Sequence, residues 1–99
     1  MILGRIIGTV WSTRKDENLV GAKFMIVRQL NLDFTPKENF VVAVDSVGAG
    51  VGEVVLVAQG SSARQTAFTK NKPVDAVIMA IVDKLDIAKI ELIDRKAEI

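Results

Sequence analysis

The chain has no cysteine, no histidine and no tyrosine among its 99 residues. The first absence excludes disulfides, thiolate nucleophiles and cysteine-bound metals. The second removes the commonest general base and metal ligand, and the third a further proton donor. Most catalytic designs fall with them. Charge of one sign is missing as well: thirteen Lys and Arg face twelve Asp and Glu, a net of +1. No field of one sign is there to hold a nucleic acid or an anionic membrane regardless of sequence. The longest apolar stretches, Val54 to Ala58 and Ala76 to Val82, fall far short of the ~20 residues a membrane-spanning helix needs. Residues 1–8 are too short and too interrupted for a secretory signal. These absences point to a soluble, cytoplasmic single domain that is not an enzyme and needs no cofactor or metal.

Apolar side chains, by contrast, are in excess. They make up 49 % of the chain, and the seven glycines raise the share to about 56 %, against ~45 to 50 % in an average soluble domain. A domain this small buries only about two thirds of the surface its unfolded chain exposes. Many apolar groups would face water in a monomer, so assembly with further copies is expected.

The segment Ile2 to Thr13 is β-branched and punctuated by Gly4 and Gly8, which reads as a long, bent strand. Ile2, Gly4, Ile6, Gly8 and Val10 would share one of its faces. A polar loop follows from Arg14 to Gly21. Ala22 to Leu30 reads as a second strand, Asn31 to Asn39 as an irregular connection, and Phe40 to Val44 as a strand covered on both faces. Asp45 to Gly52 is a glycine-rich turn, and Glu53 to Gln59 a fourth strand. Ser62 and Gln65 fit a capping box that would open a short helix from Ala63 to Phe68. Lys70 to Lys72 is a polar loop. Val74 to Leu85 fits a buried strand and an amphipathic helix equally well, because its Val and Ile residues satisfy both patterns. Ile87 to Ile93 is again apolar at short intervals, and Asp94 to Ile99 reads as a mobile tail. The expected architecture is mainly β: a small five-stranded barrel of the oligonucleotide/oligosaccharide-binding type with one short helix. Its barrel domain would span residues 1–85, with a C-terminal extension over 86–99.

Few residues invite a chemical reading. Gly48, Gly50 and Gly52 alternate and could present backbone N–H groups to an anion, but neither the Lys-Ser/Thr of a phosphate loop nor the dinucleotide spacing is present. A turn with positive φ, or close approach to a neighbouring subunit, is the simpler account. Ser62 without a histidine partner reads as a cap rather than a nucleophile. Asp45, Glu53, Asp75 and Asp83 end apolar segments, where solvated or capping carboxylates are ordinary. The aromatic residues Trp11, Phe24, Phe34, Phe40 and Phe68 are too scattered for a base-stacking platform. Binding of single-stranded nucleic acid or oligosaccharide is therefore the second reading.

Several segments together resemble a known family. They are Gly8-Thr9-Val10 with Ser12, Thr13 and Lys15; Leu19, Gly21 and Lys23; and Asp45-Ser46-Val47-Gly48-Ala49-Gly50-Val51-Gly52-Glu53. Val55-Leu56-Val57, Gly60-Ser61-Ser62-Ala63-Arg64-Gln65, and Pro73-Val74-Asp75 leading to Ala80-Ile81-Val82-Asp83 complete the set. Over about residues 1–84 the chain resembles the vertex proteins of bacterial microcompartment shells, the EutN/CcmL family. The resemblance implies a homopentamer at the five-fold corners of a shell, inside the cytoplasm, with hexameric shell proteins as partners. It also implies a strand over Ala76 to Val82. By the same analogy Ser46, Gly48, Ala49, Gly50, Gly52, Ser61, Ser62, Ala63 and Arg64 would lie at subunit contacts or near the five-fold axis. A charge placed at Ala49 or Ala63 would then break the ring and leave the barrel folded.

Overall fold

A computed structural model describes residues 1–12, 15–67, 69–70 and 74–88. Thr13, Arg14, Phe68, the end of the Lys70 to Lys72 loop, Pro73 and the tail beyond Ala88 lie outside them. Five strands close into a barrel: β1 (Ile2–Val10), β2 (Phe24–Leu30), β3 (Pro36–Asp45), β4 (Val54–Gln59) and β5 (Ala76–Ile81). Around the barrel the order is β1-β2-β3-β5-β4, with β4 pairing back onto β1. Every pairing is antiparallel except the short parallel contact of β3 with β5. Closure removes most of the strand edges that a small open sheet would leave.

The period-two pattern of the strands builds the core. Ile6, Met25, Val27, Ala43, Val55, Val57, Ala76 and Ile78 point inward and form one cluster, joined by Ala49 from the glycine turn. Each large aliphatic member contributes about 1.5 to 3 kcal/mol by leaving water. Gly4 is needed here because a Cβ on it would stand 2.9 Å from the Arg28 carbonyl oxygen. Strand β1 therefore approaches β2 more closely than any side chain would allow.

Several expectations from the sequence are corrected. The register of β1 against β2 shifts between Ile6 and Gly8, so the face predicted from simple alternation changes phase. Thr9 now stands opposite buried Met25, and Val10, opposite Phe24, is exposed. The strand ends at Val10 and not at Thr13. The third strand starts four residues before Phe40, since Pro36 already pairs with Leu30. A tight turn over 31–35, closed by Asn31 N–H to the Thr35 carbonyl at 2.8 Å, replaces the longer irregular connection. Nor is Phe40 to Val44 covered on both faces. Ala43 is fully buried, whereas Phe40 is 55 % and Val42 50 % exposed.

The expected α-helix is a 3-10 turn at Gly60–Gln65. It begins at Gly60, whose φ of +65° suits glycine. Gln59 therefore holds the N-cap position, without a side-chain cap, so the turn opens three residues ahead of Ser62, where the sequence pattern placed the cap. The ambiguous segment is a strand, β5, over Ala76–Ile81, as the family resemblance implied.

Candidate subunit-contact site

The turn from Asp45 to Glu53 is fastened almost entirely to its own chain. Asp45 Oδ1 accepts from the N–H groups of Val47 at 3.0 Å and Ala49 at 3.2 Å. Glu53 Oε1 accepts from the Gly50 N–H at 2.7 Å. Ser46 Oγ donates to the Ile78 carbonyl at 2.6 Å, tying the turn to β5. Gly52 N–H donates to the Ile6 carbonyl at 2.8 Å, and Arg5 Nη1 donates to the Gly52 carbonyl at 2.8 Å, tying it to β1. Gly48 and Gly52 take φ values of +74° and +93°. Of the glycine N–H groups that an anion would use, Gly50's is taken by the Glu53 carboxylate and Gly52's by the Ile6 carbonyl, while the Asp45 carboxylate sits on the neighbouring N–H groups of Val47 and Ala49, which disfavours an anion there. Ala49, 2 % exposed, plugs the barrel, while Val47 and Val51 project outward at 39 % and 63 % exposure.

The second candidate segment, residues 60–65, is built differently. Ala58 of β4 and Val77 of β5 stand opposite each other on the outer wall, and Ala63 covers them. The turn is held from behind by Thr69, a buried polar residue whose Oγ1 donates to the Ala63 carbonyl at 2.5 Å. Gly60 N–H donates to the Asp75 carbonyl at 2.7 Å. Ser61, Arg64 and Gln65 are exposed, and Arg64 Nη1 reaches the Val74 carbonyl at 3.2 Å. Among the candidate residues, then, Ala49 and Ala63 face the interior of their own subunit.

The two segments do not meet within one chain. The glycine turn enters β4 at Val54 and the 3-10 turn leaves it after Gln59, about 20 Å apart at ~3.3 Å per strand residue. What the sequence reading missed is the bare outer wall. Phe40 and Val42 are exposed beside Arg28, whose guanidinium lies 5.3 Å from the Phe40 ring. A groove of about 230 Å³, lined by Phe24, Val42, Val44, Val74, Asp75 and Ala76, opens where β3 and β5 diverge. The signal was the unbroken apolar run of β3, whose second face has no cover among the described residues.

A family model described as ethanolamine utilisation protein EutN/carboxysome matches residues 1–83. The chain belongs to the EutN/CcmL family of microcompartment shell vertex proteins. It is 45 % identical over 86 residues to the shell vertex protein GrpN of Rhodospirillum rubrum, covering 87 % of this chain and 97 % of that one. To the carboxysome shell vertex protein CcmL of Gloeobacter violaceus it is 40 % identical over 96 residues, covering 97 % and 96 %. The solved structure of GrpN, a pentameric microcompartment shell protein, superposes with a TM-score of 0.81 at 44 % identity, covering 89 % and all of the two chains. EutN/CcmL membership explains a subunit with a complete barrel interior and an unfinished exterior.

Proposed function

We propose that this vertex protein works as a homopentamer that closes the five-fold corners of a microcompartment shell, seated among hexameric shell proteins, with no catalysis of its own. A surface tiled by hexagonal units closes only when five-fold units are inserted. Five copies joined head to tail form a closed ring when the rotation at each contact is one fifth of a turn. The observation that carries this reading is family membership together with the pentameric state of the relative GrpN. Thirteen large apolar side chains exposed among the described residues, Val42, Phe40 and Val51 among them, support it further.

Within the ring, the glycine turn with Ser46, Gly48, Ala49, Gly50 and Gly52 would present Val47 and Val51 to a neighbour. Ser61, Ser62, Ala63 and Arg64 would place a polar turn at a second contact or near the axis. The extension over 86–99 would add contacts beyond the barrel. Native mass spectrometry of the purified protein tests the assembly: five chains are expected, and a monomer at micromolar concentration would overturn the reading.

A further inference from the structure

The barrel leaves one edge open. Of the ten residues in β3, only Val44 and Asp45 pair with β5. Along residues 36–43 the side of β3 that faces away from β2 has no strand partner among the described residues. Glu38, Asn39, Phe40 and Val42 are exposed along it. A strand edge of this length is a site where another strand adds.

The same chain carries an unpaired run that could fill it. After β5, residues 82–88 belong to no helix or strand. Among the described residues the only backbone bond of this run is Val82 N–H to the Val54 carbonyl, at 2.8 Å. Val82, Leu85 and Ile87 are half-buried, and Asp83, Lys84, Asp86 and Ala88 are exposed. Seven residues extend about 23 Å and the eight of the open edge about 26 Å, so the lengths match. Leu85 and Ile87 are two residues apart, as are Phe40 and Val42, so an added strand can set the two pairs side by side.

Direction decides whose edge is filled. Strands β3 and β5 run parallel with Ile78 level with Asp45, so the chain beyond Ile81 heads away from residues 36–43 of its own subunit. We propose that residues 82–88 of one subunit add as a strand to the open edge of β3 in the next subunit of the ring. The contact is head to tail, with a donor run and an acceptor edge on different parts of the molecule, which is what a closed ring of identical chains requires.

The proposal rests on the pentameric reading, and its test separates the two. Native mass spectrometry first reports the oligomer; a monomer would overturn both. On a pentamer, hydrogen exchange is followed at the amides of residues 38–42 and 83–88. Alternate amides in both stretches are expected to exchange at least ~10-fold more slowly than unpaired ones. Uniformly fast exchange in an intact pentamer would overturn this contact and leave the vertex reading standing. Asp86→Pro and Ile87→Pro provide a second readout, because neighbouring N–H groups of a strand point to opposite sides. One of the two is expected to weaken the ring about tenfold more than the other, with the barrel still folded by circular dichroism. Equal effects, or none, would count against the added strand.

Discussion

The two segments that flank β4 carry similar small residues and spend them in opposite ways. In the turn over 45–53 two carboxylates bind the loop to itself, a serine hydroxyl ties it to β5, the Gly52 backbone and Arg5 tie it to β1, and Ala49 fills the mouth of the barrel. In the 60–65 turn Ala63 faces inward, against Ala58 and Val77, and the polar side chains Ser61, Arg64 and Gln65 face water. The first segment offers a neighbour apolar tips, Val47 and Val51, on a rigid base. The second offers hydrogen-bonding groups on a shallow pad. Apolar groups suit the dry centre of a permanent contact and polar groups its rim or a contact with a different partner. The small residues of both motifs therefore serve the fold first.

The sharpest way to break the comparison is to charge the two alanines. Ala49→Asp and Ala63→Asp would each bury an unpaired carboxylate, at a cost of about 3 to 5 kcal/mol. Loss of the folded barrel, and not just of the ring, is expected in circular dichroism and in thermal unfolding. This reverses the outcome expected from sequence, where both positions were placed on the surface between subunits. A folded monomer from either variant would restore that placement. Charging Val51 instead, as Val51→Asp, tests the outer tip: the barrel should stay folded while the pentamer fraction in native mass spectrometry falls.

Loosening the first segment should cost less. Asp45→Ala leaves the N–H groups of Val47 and Ala49 without their acceptor, and Glu53→Ala does so for Gly50. Each is expected to lower stability by about 1 to 3 kcal/mol in chemical denaturation, with Asp45 the larger. Gly52→Ala, at a φ of +93°, should cost about 1 kcal/mol, since a side chain there is strained without meeting any neighbour. Among the described side chains of the 60–65 turn none forms a comparable set of bonds to the backbone, so the same kind of scan should be flatter there.

How much of this was legible in the chain follows from where the signals come from. Strands β2, β4 and most of β1 were readable because their buried residues alternate or run together. The barrel was readable because five such segments in 99 residues need closure to remove their edges. Residues 36–39 were not, because Pro, Lys, Glu and Asn on a hairpin arm beyond the core carry no apolar pattern. The phase change in β1 follows from one extra residue at Ile7, and nothing in the local composition announces a bulge. Thr69 was invisible for a different reason: its value lies in hydrogen bonds to Thr66 and to a carbonyl six residues away, which no local pattern announces. The motif segments were found from the sequence, but which of their side chains face inward was not. An alanine reads the same in a core as in a contact.

The smallest expected effect is also the one that tests the second segment most directly. Arg64 is exposed, and among the described residues it makes one bond, to the Val74 carbonyl at 3.2 Å. The guanidinium has further donors that this bond leaves available to a carboxylate or carbonyl of another subunit. Arg64→Ala should therefore change the stability of the isolated subunit by less than about 0.5 kcal/mol, as surface substitutions usually do. If the turn sits at a contact, the same variant should lower pentamer or shell yield even though the unfolding curve of the barrel is unmoved. A fall in barrel stability with unchanged assembly would instead make Arg64 a brace for Val74 and leave the glycine turn as the sole contact segment of the pair. Arg64→Lys sharpens the distinction, because it keeps the charge and loses the planar fork: recovery of assembly would point to charge alone, and failure to bidentate geometry.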